Sequence, residues 1–322
     1  MPGRDDQAAR ESIPADQLFS WISLGWLRLY GIDSFEKEIL RHFLAGDFPW
    51  IHSDCMPANT DGPWLPAPKW ANRLEITNQP AALDKKAATN WVTWQSFIEC
   101  LRGKRALRES DYGRPVQTAL LDNVRIAREG ESNSTPFYTA ALTRTQTPKI
   151  PTDKTAKSAN GRNDKSQSTL RLTALLNARD ESILKRLQPV LELLKEEGIG
   201  ANRSSGLGAI RKVDISEAPG ELASSLSASG SQRFALLSPC IPTSSMLADL
   251  ATTPPGSNSY TIVSKAGWIY DSHGKATDLR KPTVRCFDSG SIFAVRPSGQ
   301  LLDITRENHP CFRYGIPFVV EG

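Results

Sequence analysis

Histidine is scarce in this chain: four in 322 residues, standing apart at His42, His52, His273 and His309. A metal-independent hydrolytic site needs a general base, usually histidine, beside a second acid or a lysine. His42 falls on a helix-like run, His52 beside Ser53-Asp54, His273 in a turn and His309 before Pro310, so packing or surface roles suit each better than catalysis. The five cysteines (Cys55, Cys100, Cys240, Cys286, Cys311) are odd in number and form no Cys-x-x-Cys pair. That argues against a zinc site and fits free thiols in a reducing compartment. The aspartates offer no repeated pair of the kind that holds two metals. No apolar run reaches a membrane span and no secretory h-region opens the chain, so it reads as a cytoplasmic protein. No glycine loop closes on Gly-Lys-Ser/Thr, which excludes a nucleotide-binding P-loop.

What the chain does have is one dense glycine segment, Gly198-Ile-Gly-Ala-Asn-Arg-Ser-Ser-Gly-Leu-Gly208. It follows a helix-like run and precedes a strand-like one, Ala209-Ile-Arg-Lys-Val213. Glycine permits positive φ and close backbone approach. The N–H groups of such a turn and the hydroxyls of Ser204 and Ser205 can converge on one anion, with Arg203 adding charge. No helix follows to lend its N-terminus, so a polyanion backbone suits this loop better than a nucleoside triphosphate. The candidate phosphate-binding set is therefore Gly198, Gly200, Asn202, Arg203, Ser204, Ser205, Gly206 and Gly208. A glycine-rich surface turn is the plain alternative for such a segment taken alone.

The formal charge is only +4 but unevenly placed. Six basic side chains face two acidic ones between Pro148 and Arg171, and seven face three between Leu101 and Arg128. Basic zones attract nucleic acid or anionic surfaces, although a solvated basic loop is nearly as good a reading of either alone. Arg125 and Asn123 are a second candidate pair, and Lys104, Arg105 and Arg108 either line an RNA path or form a solvated helix face.

With 39% hydrophobic residues the chain is long enough for two domains. Residues 1–13 are polar and read as disordered. Asp16 is expected to cap a helix with Leu18, Ile22, Gly25, Trp26 and Leu29 on one face, ending at Gly31, and a second helix spans Phe35 to Leu44. From Trp50 to Trp94 the chain is rich in proline and tryptophan without a period, and reads as irregular structure packed by aromatics. Asn123 to Thr143 predicts a β-hairpin with a polar turn at 129–135. Residues 147–168 have almost nothing to bury and predict a mobile loop. Leu170 to Leu176 predicts a strand. Asp180 then caps a helix carrying Ile183, Leu184, Leu187, Val190, Leu191 and Leu194, which Pro189 should kink or restart. Strand, helix, glycine turn and strand make the second half of a ferredoxin-like unit. Residues 215–230 read as a linker, and the short strand-like runs beyond it (234–237, 260–270, 283–287, 291–295, 312–320) predict a strand-rich second domain with few helices.

Seven segments in register then resemble one family. They are Ile13-Pro-Ala-Asp-Gln-Leu-Phe19, Asp54-Cys-Met-Pro57 with Pro66-Ala-Pro-Lys69, Asp122-Asn-Val-Arg125, the glycine loop, Gly267-Trp-Ile-Tyr270, Gly290-Ser-Ile-Phe293 and His309-Pro-Cys-Phe-Arg-Tyr-Gly315. Together they are similar to the RAMP-superfamily subunit that caps the crRNA 5′ end in type III-A CRISPR effectors, the fourth subunit of the Csm complex. The resemblance implies an α+β fold of two ferredoxin-like (RRM-like) domains with inserted loops, here 1–214 and 231–322. It also implies a non-catalytic protein without cofactors that holds the 5′ repeat-derived tag of the crRNA and joins the large polymerase-like subunit to the backbone RAMP subunits. The hairpin around Arg125 to Thr135 matches the place of the family's thumb, which wedges between guide and target RNA bases. One departure is that the family's first β-strand has no counterpart in Met1 to Ser12. Either the start is truncated or a neighbour supplies that strand.

Two functional classes follow. The leading one is an RNA-binding subunit that grips the crRNA tag through residues 198–208 and Arg125. The other is a metal-independent endoribonuclease of the same superfamily acting through His42 or His52. A scaffold that touches no RNA is a third, plainer reading.

Overall fold

The computed structural model describes residues 11–69, 91–113, 115–124, 136–144, 170–200, 208–218, 220–226, 233–270, 276–306 and 309–322. The chain opens with α1 (Ala15–Ser34), a π-helical turn (Phe35–Leu40) and α2 (Arg41–Ala45). Then come β1 (Trp50–His52), β2 (Met56–Asn59), β3 (Gly62–Pro66), β4 (Trp91–Thr93), α3 (Trp94–Leu101), β5 (Tyr112–Gly113), β6 (Val116–Val124), β7 (Pro136–Arg144), β8 (Arg171–Thr173), β9 (Leu176–Ala178) and α4 (Glu181–Glu197). The second half holds α5 (Gly220–Leu226), β10 (Phe234–Leu236), α6 (Ser244–Thr252), β11 (Ile262–Lys265), β12 (Trp268–Tyr270), β13 (Ala276–Arg280) and β14 (Val284–Phe287). It closes with β15 (Ile292–Phe293), β16 (Gln300–Asp303), β17 (Phe312–Gly315) and β18 (Val319–Glu321). All pairings between these strands are antiparallel, the largest being a five-stranded sheet in the order β5-β4-β3-β2-β8.

The two predicted N-terminal helices are present, with Gly31 breaking the helix at φ 80° as its position suggested. The stretch from Trp50 to Trp94 is not irregular. It supplies β1 to β4, strands of only three to five residues that contain Pro57, Pro63 and Pro66 and bury Trp50, His52, Met56, Leu65 and Val92. Such short pieces carry too few alternations for a period of two to be read. The hairpin is also present and longer than predicted, pairing Val116–Val124 with Pro136–Arg144, while its tip (125–135) and the basic stretch 147–168 lie outside the described residues.

Residues 50–59 and 171–178 run together as one interrupted ladder, β1 on β9 and β2 on β8, joined at the break by the Ser53 N–H donating to Leu175 O at 2.9 Å. Instead of being free, Ile13 exchanges both backbone hydrogen bonds with Cys55. The predicted strand Ala209–Val213 does not form: 208–218 is largely exposed coil. A β-prone run becomes a strand only against a partner, and the outer edge of β8 has none among the described residues.

The predicted linker is in part a helix. Within 215–230, α5 places Leu222 at 1% exposure in the core beside Trp91, Leu101 and Phe318. That core joins Met56, Leu65, Val92 and Phe97 to Ala235, Leu237, Ile292 and Val320, and a second joins Phe19, Trp26, Trp50 and Leu187 to Leu301, Tyr314 and Ile316. The two halves of the chain therefore share their cores. Gly25 lets α1 meet α4 closely, since a Cβ there would stand 2.8 Å from Val190 Cγ1.

Asp16 does not cap α1. The residue before the helix is Pro14, with no side-chain cap, and the cap comes from Asp54, whose Oδ1 accepts the Ala15 N–H at 2.7 Å. The Ser289 hydroxyl donates to the other oxygen of Asp54 at 2.5 Å. Asp16, one residue into the helix, takes Lys265 Nζ at 2.5 Å and Arg313 Nη1 at 3.0 Å. Burial alone would raise the Asp16 carboxyl, but Lys265 and Arg313 hold it below its ordinary value. Asp54 has no such direct cation and burial pushes it up to about 7.

A folded pKa above the unfolded one means that folding takes up a proton at Asp54. The stabilisation is full below the unfolded value near 4 and is lost as pH rises through about 7. Wild-type protein should therefore lose about 1 kcal/mol between pH 6 and 8 from this group. Asp54→Asn keeps an acceptor for Ala15 and should flatten that slope, measured as urea midpoints across the pH range; an unchanged slope would rule Asp54 out as its source.

Candidate nucleic-acid interface

The glycine loop is built on α4. Asp180 caps this helix by accepting the Ile183 N–H at 3.2 Å, as its sequence indicates. Ile183, Leu187, Val190 and Leu194 are buried against α1. Pro189 lies inside one continuous helix and does not restart it. The exposed side is tied to the first helices as well. Arg186 pairs with Glu38 and lies over Trp26 and Tyr30 at 4.6 and 4.3 Å, while Arg28 pairs with Glu197 at the end of α4. The loop thus leaves from a firmly seated base.

Its two ends are drawn together. The Gly198 N–H donates to Leu194 O, and one residue on the Ile199 N–H donates to Gly208 O, both at 2.9 Å. Gly208 sits at φ 77°, where a Cβ would fall 1.7 Å from Ile199 O. Only glycine fits that crossing. Gly198 and Gly200 also have positive φ, 72° and 96°. Asn202, Arg203, Ser204, Ser205 and Gly206 lie outside the described residues, so the structure fixes the neck of the loop. The neck stands at the C-terminal end of α4, the negative end of its dipole. An anion held here must be drawn by the loop's own N–H groups, hydroxyls and Arg203, in keeping with the absence of any following helix.

The other candidates are placed differently. Asn123 lies in β6 opposite Phe137, next to the hairpin tip, and Arg125 lies outside the described residues. Lys104, Arg105 and Arg108 follow the end of α3 and are not on a helix face. Arg105 is not free to line an RNA path: Nε meets Glu99 at 2.6 Å, Nη1 meets Asp111 at 2.6 Å, and Nη2 meets Ser96 Oγ at 2.9 Å. That clamp holds the Asp111 carboxyl down to about 2. Lys104 and Arg108 are exposed.

His52 is fully buried and stacks on Tyr314 with ring centroids 4.7 Å apart, and burial drives its pKa down to about 4. It is a neutral packing residue at neutral pH. His42 is half-exposed and paired with Asp47, which also binds Arg179. His273 lies outside the described residues, and His309 pairs through its backbone with Arg306. Among the described residues no three His, Cys, Asp or Glu side chains stand together as a metal site, and no helix is long and apolar enough to cross a membrane.

Residues 229–321 match the family model described as the CRISPR Csm4 C-terminal domain. A Csm4 protein of Streptococcus thermophilus is 24% identical over 94% of this chain and 88% of its own length. The chain is thus similar to Csm4 proteins along nearly its whole length, and most specifically over its C-terminal residues. A Csm4 protein of Mycobacterium tuberculosis strain H37Rv is 31% identical over 44% of each chain. The fold agrees along nearly the whole length. A chain of the Csm1–Csm4 cassette solved with cA4 has a TM-score of 0.58 at 14% identity, covering 98% of this chain and 94% of its own. A chain of the Csm3–Csm4 subcomplex of the type III-A interference complex likewise has a TM-score of 0.58 at 15% identity, with 97% and 94% covered. The mixed α/β architecture with several antiparallel sheets is that of the solved Csm4 assemblies.

The neck gives a direct prediction. Gly208→Ala forces a side chain into the left-handed region and onto Ile199 O, at a cost of about 1–3 kcal/mol borne locally. Trypsin should then cut at Arg203 several-fold faster with little change in melting temperature. Equal cleavage rates would mean that the neck does not restrain the loop.

Proposed function

We propose that this Csm4-like chain is the non-catalytic subunit of a type III-A CRISPR interference complex that holds the 5′ repeat-derived tag of the crRNA. On this reading it is a cytoplasmic protein built on two ferredoxin-like units. It bridges the large polymerase-like subunit to the backbone RAMP subunits, with its β6–β7 hairpin meeting the target RNA near the guide. The observation that carries the reading is the pinched glycine neck, Ile199 N–H to Gly208 O, on either side of a sequence that supplies Arg203, Ser204 and Ser205. Such a loop contacts phosphates whatever the base, which suits a tag common to every guide. The bridging role is supported by relatives in which Csm4 is paired with Csm1 in one assembly and with Csm3 in another.

The hydrolytic alternative draws no support from its two candidate bases. His52 has no solvent-facing atom, and His42 is engaged with Asp47, which also binds Arg179. Incubating the protein with repeat RNA in EDTA tests this: no site-specific cleavage is expected, and cleavage that disappears in His42→Ala would overturn the non-catalytic reading.

For the tag-binding role, Arg203→Ala combined with Ser205→Ala should lower crRNA retention in the assembled complex without unfolding the chain. The salt slope of log K should fall by about one unit for each phosphate that the variant no longer neutralises. Retention and slope equal to wild type at physiological salt would remove the loop from the interface.

A further inference from the structure

The second half of the chain carries a surface that the glycine loop does not account for. Trp268 on β12 stands opposite Arg280 on β13, and the Arg280 guanidinium lies 4.7 Å from the centre of the indole ring. Tryptophan side chains ordinarily bury most of a large apolar area. Trp268 nevertheless stays 44% exposed with Arg280 laid on it. The hairpin is held shut beside the ring by the Lys281 N–H donating to Gly267 O at 2.9 Å. Arg306 Nη1 donates to Arg280 O at 3.2 Å, which brings a further cation to the same strand. Arg285 is exposed on β14, in the separate β11–β14 pair, opposite Ser264.

Among the described residues, Arg280, Lys281, Arg285 and Arg306 take part in no ion pair, unlike Lys265 and Arg313 nearby, which are consumed by Asp16. The sequence from Lys265 to Arg285 carries five basic side chains against two acidic ones. Two more apolar side chains of this region are open: Ile262 at 54%, and Tyr260 at 47% even though its ring packs on Phe287 and Phe293. An aromatic ring already stacked by a guanidinium, with Lys281 and Arg306 beside it unpaired among the described residues, is complementary to a ligand that has a π-face and a negative backbone. An acidic protein segment would satisfy the charges but not the flat ring pair.

We infer that Trp268 and Arg280 form a stacking site for a base of single-stranded RNA, with Lys281 and Arg306 drawing its phosphates. Bases of a duplex are held in their own stack and cannot reach such a platform, so the site selects unpaired nucleotides. It rests on the reading of the chain as an RNA-binding subunit but not on the glycine loop, and it adds a second hold on the strand.

The test uses the full-length chain and a labelled oligouridylate of about 12 nucleotides, with a duplex RNA for comparison. Trp268→Ala should weaken single-strand binding about tenfold and leave duplex binding unchanged, whereas Trp268→Phe should stay within about threefold of wild type. Arg280→Gln, which removes no core side chain, should weaken binding and lower the salt slope by about one. It serves as the check should Trp268→Ala melt early. Wild-type affinity in both Trp268→Ala and Arg280→Gln overturns the site. If the Arg203/Ser205 double variant still loses tagged crRNA in that case, the tag-binding reading survives without it. Equal losses for duplex and single strand overturn the stacking claim. Loss of co-purifying partner subunits with RNA affinity intact also overturns it, and makes the patch a protein interface.

Discussion

Two buried carboxylates at the start of the first helix hold the molecule together. Asp54 caps α1 from the break between β1 and β2 and is itself held by Ser289, while Asp16 receives Lys265 and Arg313 from β11 and β17. A buried carboxylate with satisfied partners contributes mainly by what its removal would leave behind: an unpaired charge costs far more than the pair gains. The two groups are managed differently. Asp16 is kept ionised by two cations, whereas Asp54 has neutral donors only and sits near the point of protonation at neutral pH. Their joint effect is to fix the entrance of α1 against the far end of the chain.

Everything that positions the glycine loop follows from that placement. With α1 fixed, Gly25 admits Val190 and the buried face of α4 has one seat. The end of α4 then sets where the backbone enters the loop, and the crossing of Ile199 with Gly208 sets where it leaves. The Trp268–Arg280 pair stands on a different footing, a strand register that places ring and guanidinium opposite each other.

Much of this was legible in the sequence where the determinants are local. The α4 helix, its Asp180 cap and the break at Gly31 each depend on residues within a few positions of one another, and the β6–β7 hairpin pairs strands that are consecutive along the chain. The strands between Trp50 and Trp94 were not, because three- to five-residue strands burdened with Pro57, Pro63 and Pro66 show no period. Ala209 to Val213 looked like a strand and is coil, since β propensity acts only against a neighbouring strand. The α1 cap could not have been found by spacing, as Asp54 lies 39 residues beyond Ala15. Of the candidate site, the glycine pattern coincides with the crossing of Ile199 and Gly208, while the residues called for phosphate between them lie outside the described residues. The apparent availability of Arg105 was misleading because its carboxylate partners, Glu99 and Asp111, sit six residues away on either side.

The ion pair between Asp16 and Arg313 spans 297 residues of chain. A ribosome adding about 5–20 residues per second needs about 15–60 s to travel that far. Throughout that interval the nascent chain carries a charged helix entrance and an apolar α1 face still awaiting Tyr314 and Ile316. The seating of α1 is therefore completed only after Arg313, Tyr314 and Ile316 have been made.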